Sequence, residues 1–183
     1  MPKPTDLSAA DLPVAAPKLG APTLTVGQIA EGLRNLAADQ PATRERIRHW
    51  TREGFFSPIE RHHAGTGRHH GYDPVALYQA GVLTVLVGTG VPLASRRDLL
   101  ETAPLVRTAV TQWMSGNCVE SRYLTISHPA KGPPVLALQP EPRPNPNSHV
   151  TIIVDLFSVF GKVSEQLAAT SKNRRGRSKR LPP

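Results

Sequence analysis

The chain has 183 residues and a net charge of +8, with 39% hydrophobic residues and 19 prolines beside 14 glycines. That leaves room for one ordinary domain or two small ones with much irregular chain, and so cationic a protein expects a polyanionic partner, either nucleic acid or an anionic membrane surface. A single cysteine, Cys118, excludes an internal disulfide or a multi-cysteine zinc cluster, and no apolar run approaches the roughly 20 residues that span a bilayer, so a cytoplasmic protein is expected.

Residues 1–23, spaced by Pro2, Pro4, Pro13, Pro17 and Pro22, read as a disordered arm without a stretch of signal-peptide type. Thr25 and Gln28 then stand three apart ahead of an apolar helical pattern, the arrangement of a capping box. Val26, Ile29, Ala30, Leu33 and Ala37 predict a first helix of about 12 residues, broken at Asp39, Gln40 and Pro41. Thr43 is placed to cap a second helix that Gly54 ends, with Phe55 and Phe56 folding back onto the core. At about 100° per residue, Ile47, Trp50 and Thr51 fall on one side of this helix. Glu45, Arg48, His49 and Arg52 fall opposite, so the helix buries an aromatic anchor and shows a basic, hydrogen-bonding face.

From Ser57 to Tyr72 the pattern is neither helical nor apolar. Pro58, Gly65, Gly67 and Gly71 punctuate it, and Arg61, His62, His63, Arg68, His69 and His70 load it with donors. Two short arms around Ala64-Gly65-Thr66-Gly67 predict a hairpin. Asp73 and Pro74 form a cap and first-turn pair for a third helix, apolar over much of its surface through Val75, Leu77, Tyr78, Val82, Leu83, Val85 and Leu86. Gly88 and Gly90 close it. Pro92 opens a fourth, with Leu93, Leu99 and Leu100 inward and Arg96, Arg97 and Asp98 outward. Leu105, Val106, Ala109, Val110 and Trp113 predict a fifth, ended by Gly116. Strands are expected at Arg122–Ser127, Val135–Gln139 and His149–Val154, the last two separated by a loop holding Pro140, Pro142, Pro144 and Pro146. Asp155 is placed to cap a final helix with Leu156, Val159, Phe160, Val163 and Leu167 on one stripe. The tail holds Lys172, Arg174, Arg175, Arg177, Lys179 and Arg180 without an acid, which accounts for most of the surplus charge.

Two helices, a glycine-turned basic hairpin and further helix follow one another in the order of a winged helix-turn-helix. A helix of about 10–12 Å diameter fits the major groove of duplex DNA, where its polar face reaches base edges and flanking cations hold phosphates. Arg48 and Arg52, at i and i+4 on the free face, suit such a groove, with Arg44 and Arg46 near a passing backbone.

On these residues the chain resembles the MerR family of transcriptional regulators. Ile47 to Pro58, "IRHWTREGFFSP", is similar to the end of the family's recognition helix. Thr66 to Leu83, "TGRHHGYDPVALYQAGVL", is similar to the second wing strand and the helix after it, and Leu24 to Leu33, "LTVGQIAEGL", to the opening helix. The resemblance covers about 80 residues. It implies transcriptional control by a homodimer on a two-fold symmetric operator, with DNA contacts from recognition helix and wing, and makes RNA polymerase a candidate partner. Arg48 matches the family arginine before an aromatic pair, of which Trp50 keeps the second position and His49 replaces the first. Arg68 and Tyr72 match the basic and tyrosine positions of the wing. The chain departs from the family in a longer first connection (Ala37 to Ala42), in lacking the long dimerising coiled coil, and in lacking the paired cysteines of metal-sensing members.

Several features admit a second reading. His62-His63 and His69-His70 suit either phosphate and groove contact or a metal bound through imidazole. With only Glu60 and Asp73 nearby as further ligands, groove contact is favoured. Ser127, His128 and Asp155 have the residue types of a hydrolase triad, but no nucleophile elbow or oxyanion loop accompanies them. The basic tail is either a sequence-independent attachment to nucleic acid or solubilising charge.

The expected fold is mainly α with small β: a winged helix-turn-helix at 24–103, a small α+β segment at 104–170 and a basic disordered tail at 171–183. The expected partner is double-stranded DNA, in the nucleoid, with no cofactor, no metal, no membrane and no catalysis. Arg44, Arg46, Arg48, His49 and Arg52 are the candidate contacts on the second helix. Arg61, His63, Arg68, His69 and Tyr72 are those of the wing. The third helix and the α+β segment are the expected dimer interface. An excisionase-like or nucleoid-associated protein that bends DNA is the alternative.

Overall fold

A computed structural model describes residues 23–36, 40–64, 67–89, 96–116 and 122–178. Among them lie five helices, a two-stranded hairpin and a three-stranded antiparallel sheet. The first helix, α1 (Val26–Gly32), begins at the expected capping box: Thr25 accepts from the Gln28 backbone N–H at 3.3 Å, and Gln28 Oε1 accepts from the Thr25 N–H at 2.8 Å. It is shorter than its periodicity predicts. After Gly32 the chain turns through 33–36, bringing Leu33 into the core with no exposed surface and Leu36 against it. A Cβ on Gly32 would lie 2.8 Å from Leu77 Cδ1, so glycine here lets α1 approach its neighbour closely.

The second helix, α2 (Gln40–Arg52), starts ahead of the expected Thr43 cap, and Thr43 is buried within it. Pro41 falls in its first turn, where a missing N–H costs nothing, so the residue read as a breaker sits inside the helix. Its end follows expectation. Gly54 takes φ 82° and donates to Thr51 O at 3.2 Å, and Phe55 N–H reaches back to Trp50 O at 3.0 Å, satisfying carbonyls that the helix end leaves open. Trp50 and Phe55 are both buried.

The hairpin pairs β1 (Glu60–Ala64) with β2 (Gly67–Gly71), setting Arg61 opposite His70, His62 opposite His69 and His63 opposite Arg68. Gly65 and Thr66 of the expected turn lie outside the described residues, as do Cys118 and the arm at 1–22. At the hairpin's base Leu24 and Tyr72 exchange two backbone hydrogen bonds of 2.8 Å, tying the lead-in to α1 onto the chain after β2.

Helix α3 (Pro74–Gly88) has the predicted start, Asp73 Oδ1 accepting from Val75 N–H at 2.8 Å with Pro74 in the first turn. It is buried almost all round, and its partners belong to the same chain. Tyr78, Trp113 and Phe160 pack as a triad with ring centroids 5.2–5.5 Å apart, and a Cβ on Gly81 would meet Val163 at 3.1 Å. Most of the apolar surface of α3, which was expected at a dimer interface, is thus covered by the chain's own core, while Val87 near its end stays exposed.

The fourth and fifth expected helices are one, α4 (Arg96–Met114), with Pro104 inside it. An interior proline costs about 3 kcal/mol. Here buried Ala103, Val106, Ala109, Val110 and Trp113 hold the two halves on a common core and override the break. Asp98, expected outward, is buried, and Leu99 and Leu100 are half-buried. The boundary expected at 103/104 therefore falls within a helix, and the core draws on residues from Ile29 to Val163.

The sheet order is β4 (Val135–Gln139), β3 (Tyr123–Pro129), β5 (Ser148–Asp155), with each strand within two residues of its expected bounds. Leu124, Ile126, Ile152 and Val154 face the core. Asp155 caps α5 (Leu156–Ser178), accepting from Phe157 N–H at 3.0 Å and Ser158 N–H at 3.3 Å. The backbone of 171–178, expected to be disordered, continues this helix. Among the described residues no helix is long and apolar enough to cross a membrane.

Candidate nucleic-acid interface

Anchoring of α2 decides what it shows. Ile47 is fully buried and Trp50 nearly so, and a ladder of rings carries the anchor across to the hairpin. Trp50 meets Phe56 edge-on at 6.4 Å, Phe56 meets Tyr72 at 5.8 Å, and Tyr72 meets His70 at 6.3 Å. Thr51 Oγ1 donates to Ile47 O at 2.9 Å, which spends its only proton. The Tyr72 hydroxyl, 3.0 Å away, therefore donates to Thr51, a direct bond between α2 and the hairpin base. Tyr72, expected among the outward contacts, is instead fully buried, and its role is to hold α2 in place.

With that side fixed, Arg44, Arg48, His49 and Arg52 are exposed and Arg46 is half-buried. Arg44, Arg48 and Arg52 follow at i, i+4 and i+8, a stripe about 12 Å long at 1.5 Å per residue. All three line an open groove of about 640 Å³ between α1, α2 and the hairpin base, with Thr25, Val26, Gly27, Glu45, Thr51, His70 and Tyr72 completing its wall. Arg46 and His49 stand outside it. The structure thus joins three of the five expected residues of α2 into one cationic wall and leaves two on its flanks.

Arg48 is paired with Glu45, both more than half exposed. An ion pair in solvent is worth about 0–1 kcal/mol, so an incoming phosphate can exchange for the carboxylate. Arg44, Arg46, His49 and Arg52 form no ion pair among the described residues. Elsewhere Asp73 faces Arg107 at 3.6 Å and Glu31 holds Arg34 at 3.2 Å.

The hairpin's side chains from 60 to 69 lie outside the described set, so Arg61, His63, Arg68 and His69 are placed by register only. Alternation along each strand and direct opposition across the pair put Arg61, His63, Arg68 and His70 on one face, and His62 and His69 on the other. His70 lines the groove, so three expected wing residues share the face of a groove residue. Thr25, Gly27, Thr51 and His70 were not predicted as wall residues. Their signal is the Leu24–Tyr72 bridge, a pairing across 48 positions that no local pattern reveals.

The triad types are not brought together. Ser127 and His128 alternate to opposite faces of β3, and Asp155 is held by Arg122 at 3.3 Å and by the first turn of α5. Compared with known proteins, the sequence matches no protein-family model and none of the curated proteins.

Proposed function

We propose that this protein is a sequence-specific duplex-DNA-binding regulator built on a winged helix-turn-helix, with α2 as recognition helix and the β1–β2 hairpin as wing. The observation that carries this reading is the stripe of Arg44, Arg48 and Arg52, exposed along an anchored helix and lining the same groove as the base of the hairpin. A helix of this width enters a major groove, and cations on its free face serve both base edges and phosphates. Anchoring by Ile47, Trp50 and the Tyr72–Thr51 bond supports it, because base readout needs a helix held in one orientation.

In this reading Arg48 and Arg52 reach furthest toward base edges, while Arg44 and the register-placed Arg61, His63 and Arg68 hold the backbone on either side. A homodimer on a two-fold operator follows from the MerR resemblance. Because most of α3 is covered internally, the dimer contact falls to another surface. Footprinting of the intact protein across a genome tests the reading. Discrete sites of two-fold symmetry overlapping promoters are expected, whereas dispersed or clustered sites unrelated to promoters would replace the regulator with an architectural protein. Arg48→Ala is expected to weaken specific binding by about 1–3 kcal/mol if Arg48 reads a base, or to reduce the salt slope by about one if it holds a phosphate.

A further inference from the structure

The basic run at the C-terminus is not absorbed by the interface just described. Residues 172–180 carry Lys172, Arg174, Arg175, Arg177, Lys179 and Arg180 and no acid, and the backbone through Ser178 is the continuation of α5. The part of α5 that belongs to the core ends at Leu167; Ala168 and Ala169 are exposed. From there to Ser178 the helix extends about 16 Å further at 1.5 Å per residue.

Intrinsic chemistry does not favour a helix in this stretch. Residues 171–178 read Ser-Lys-Asn-Arg-Arg-Gly-Arg-Ser, with no apolar residue to bury. Gly176 is a poor helix former, and Lys172 with Arg175, and Arg174 with Arg177, stand three apart as like charges that repel. Only the last-turn cations gain from the helix dipole. A polyanion running alongside removes the repulsion and turns the same charges into contacts.

The packing of α5 ties it to the helices that carry the cationic groove. Val159 and Val163 of α5 and Leu36, in the turn between α1 and α2, all lie within 3.5 Å of where a Cβ on Gly81 would be. The helix that carries the basic run is thus packed on the same unit that presents Arg44, Arg48 and Arg52. A membrane-surface helix needs an apolar face beside its basic one, and 171–180 has none. We infer that the last turns of α5 are a second duplex-DNA contact, a cationic helical arm that follows the phosphate backbone beside the segment engaged by α2 and the hairpin. The inference rests on the reading of α2 as a duplex-binding helix. The arm supplies affinity without sequence preference, since its charges address phosphates.

The test compares the intact chain with the full-length variant K172Q/R174Q/R175Q/R177Q. Binding to a duplex carrying the footprinted site and to one without it is measured across a salt series. Each phosphate contact contributes about 0.9 to the slope of log affinity against log salt. The variant is expected to lose about 3 to 4 from that slope on both duplexes while keeping the preference between them. An unchanged slope in a variant that still binds the site overturns the arm and leaves the α2 reading standing. Loss of the preference itself also overturns it, because the arm would then be reading sequence. If the intact chain binds neither duplex, both readings fall together. If the four substitutions abolish binding to phosphatidylcholine–phosphatidylserine vesicles and leave both duplexes unaffected, the arm is a membrane contact and the inference is wrong.

Discussion

Helices α2 and α3 are nearly equal in length, 13 and 15 residues, yet the fold uses them in opposite ways. α3 is apolar around its circumference and is enclosed by α1, α4 and α5, with Gly81 letting α5 approach closely. α2 buries a narrow side through Ile47 and Trp50 and leaves Arg44, Arg48 and Arg52 to solvent. These arginines add nothing to the core, and in the proposed function they face duplex DNA. In the proposed function α3 serves stability and α2 serves recognition, and substitutions should separate the two.

The largest effect is expected where the two roles meet. Trp50→Ala removes the anchor of α2 and should destabilise the protein by about 3–5 kcal/mol in denaturant unfolding, with DNA binding lost alongside. Next comes Gly81→Val on α3. Val163 and Val159 lie 3.1 and 3.3 Å from the first added carbon, so overpacking should cost about 1–3 kcal/mol. Its folded fraction should bind DNA as the unaltered protein does; a selective loss of binding would mean that α3 also shapes the interface. Arg44→Ala and Arg52→Ala should do the reverse, each moving stability by less than about 0.5 kcal/mol; Arg44→Ala should take about one from the salt slope of binding, and Arg52→Ala should weaken specific binding by about 1–3 kcal/mol. The smallest effect belongs to Glu45→Gln, which releases Arg48 from its surface pair. Stability should change by about 0–1 kcal/mol, and DNA affinity should rise. A fall would show that Glu45 orients Arg48 rather than competing for it.

Much of the fold was legible because its signals are local. The capping box of Thr25 and Gln28, the Gly54 stop, the Asp73-Pro74 start, the three short strands and the Asp155 cap each occupy a few adjacent residues. The misreadings occur where tertiary packing outweighs a local rule. Pro104 breaks a helix by propensity, but Ala103 and Val106 on either side of it share one core. Gln40 and Pro41 look like an ending and are a beginning. Tyr72 is expected as a wing contact because the MerR resemblance matches it to the tyrosine position of the wing. Its burial depends on Phe56, Thr51 and Leu24, 16 to 48 positions away. Helical spacing alone put Arg48 and Arg52 on the free face of α2. Only the fold adds α1 and His70 as the other walls of the groove.

The most direct measurement is a salt titration of duplex affinity for the unaltered chain and for R44A/R48A/R52A, with helical content and unfolding midpoint recorded for both. The predicted result is an unchanged fold, a salt slope smaller by about 1 through the loss of Arg44, and loss of preference for the footprinted site through the loss of Arg48 and Arg52. Equal affinity, slope and preference in the two proteins would contradict the assignment of α2 to DNA.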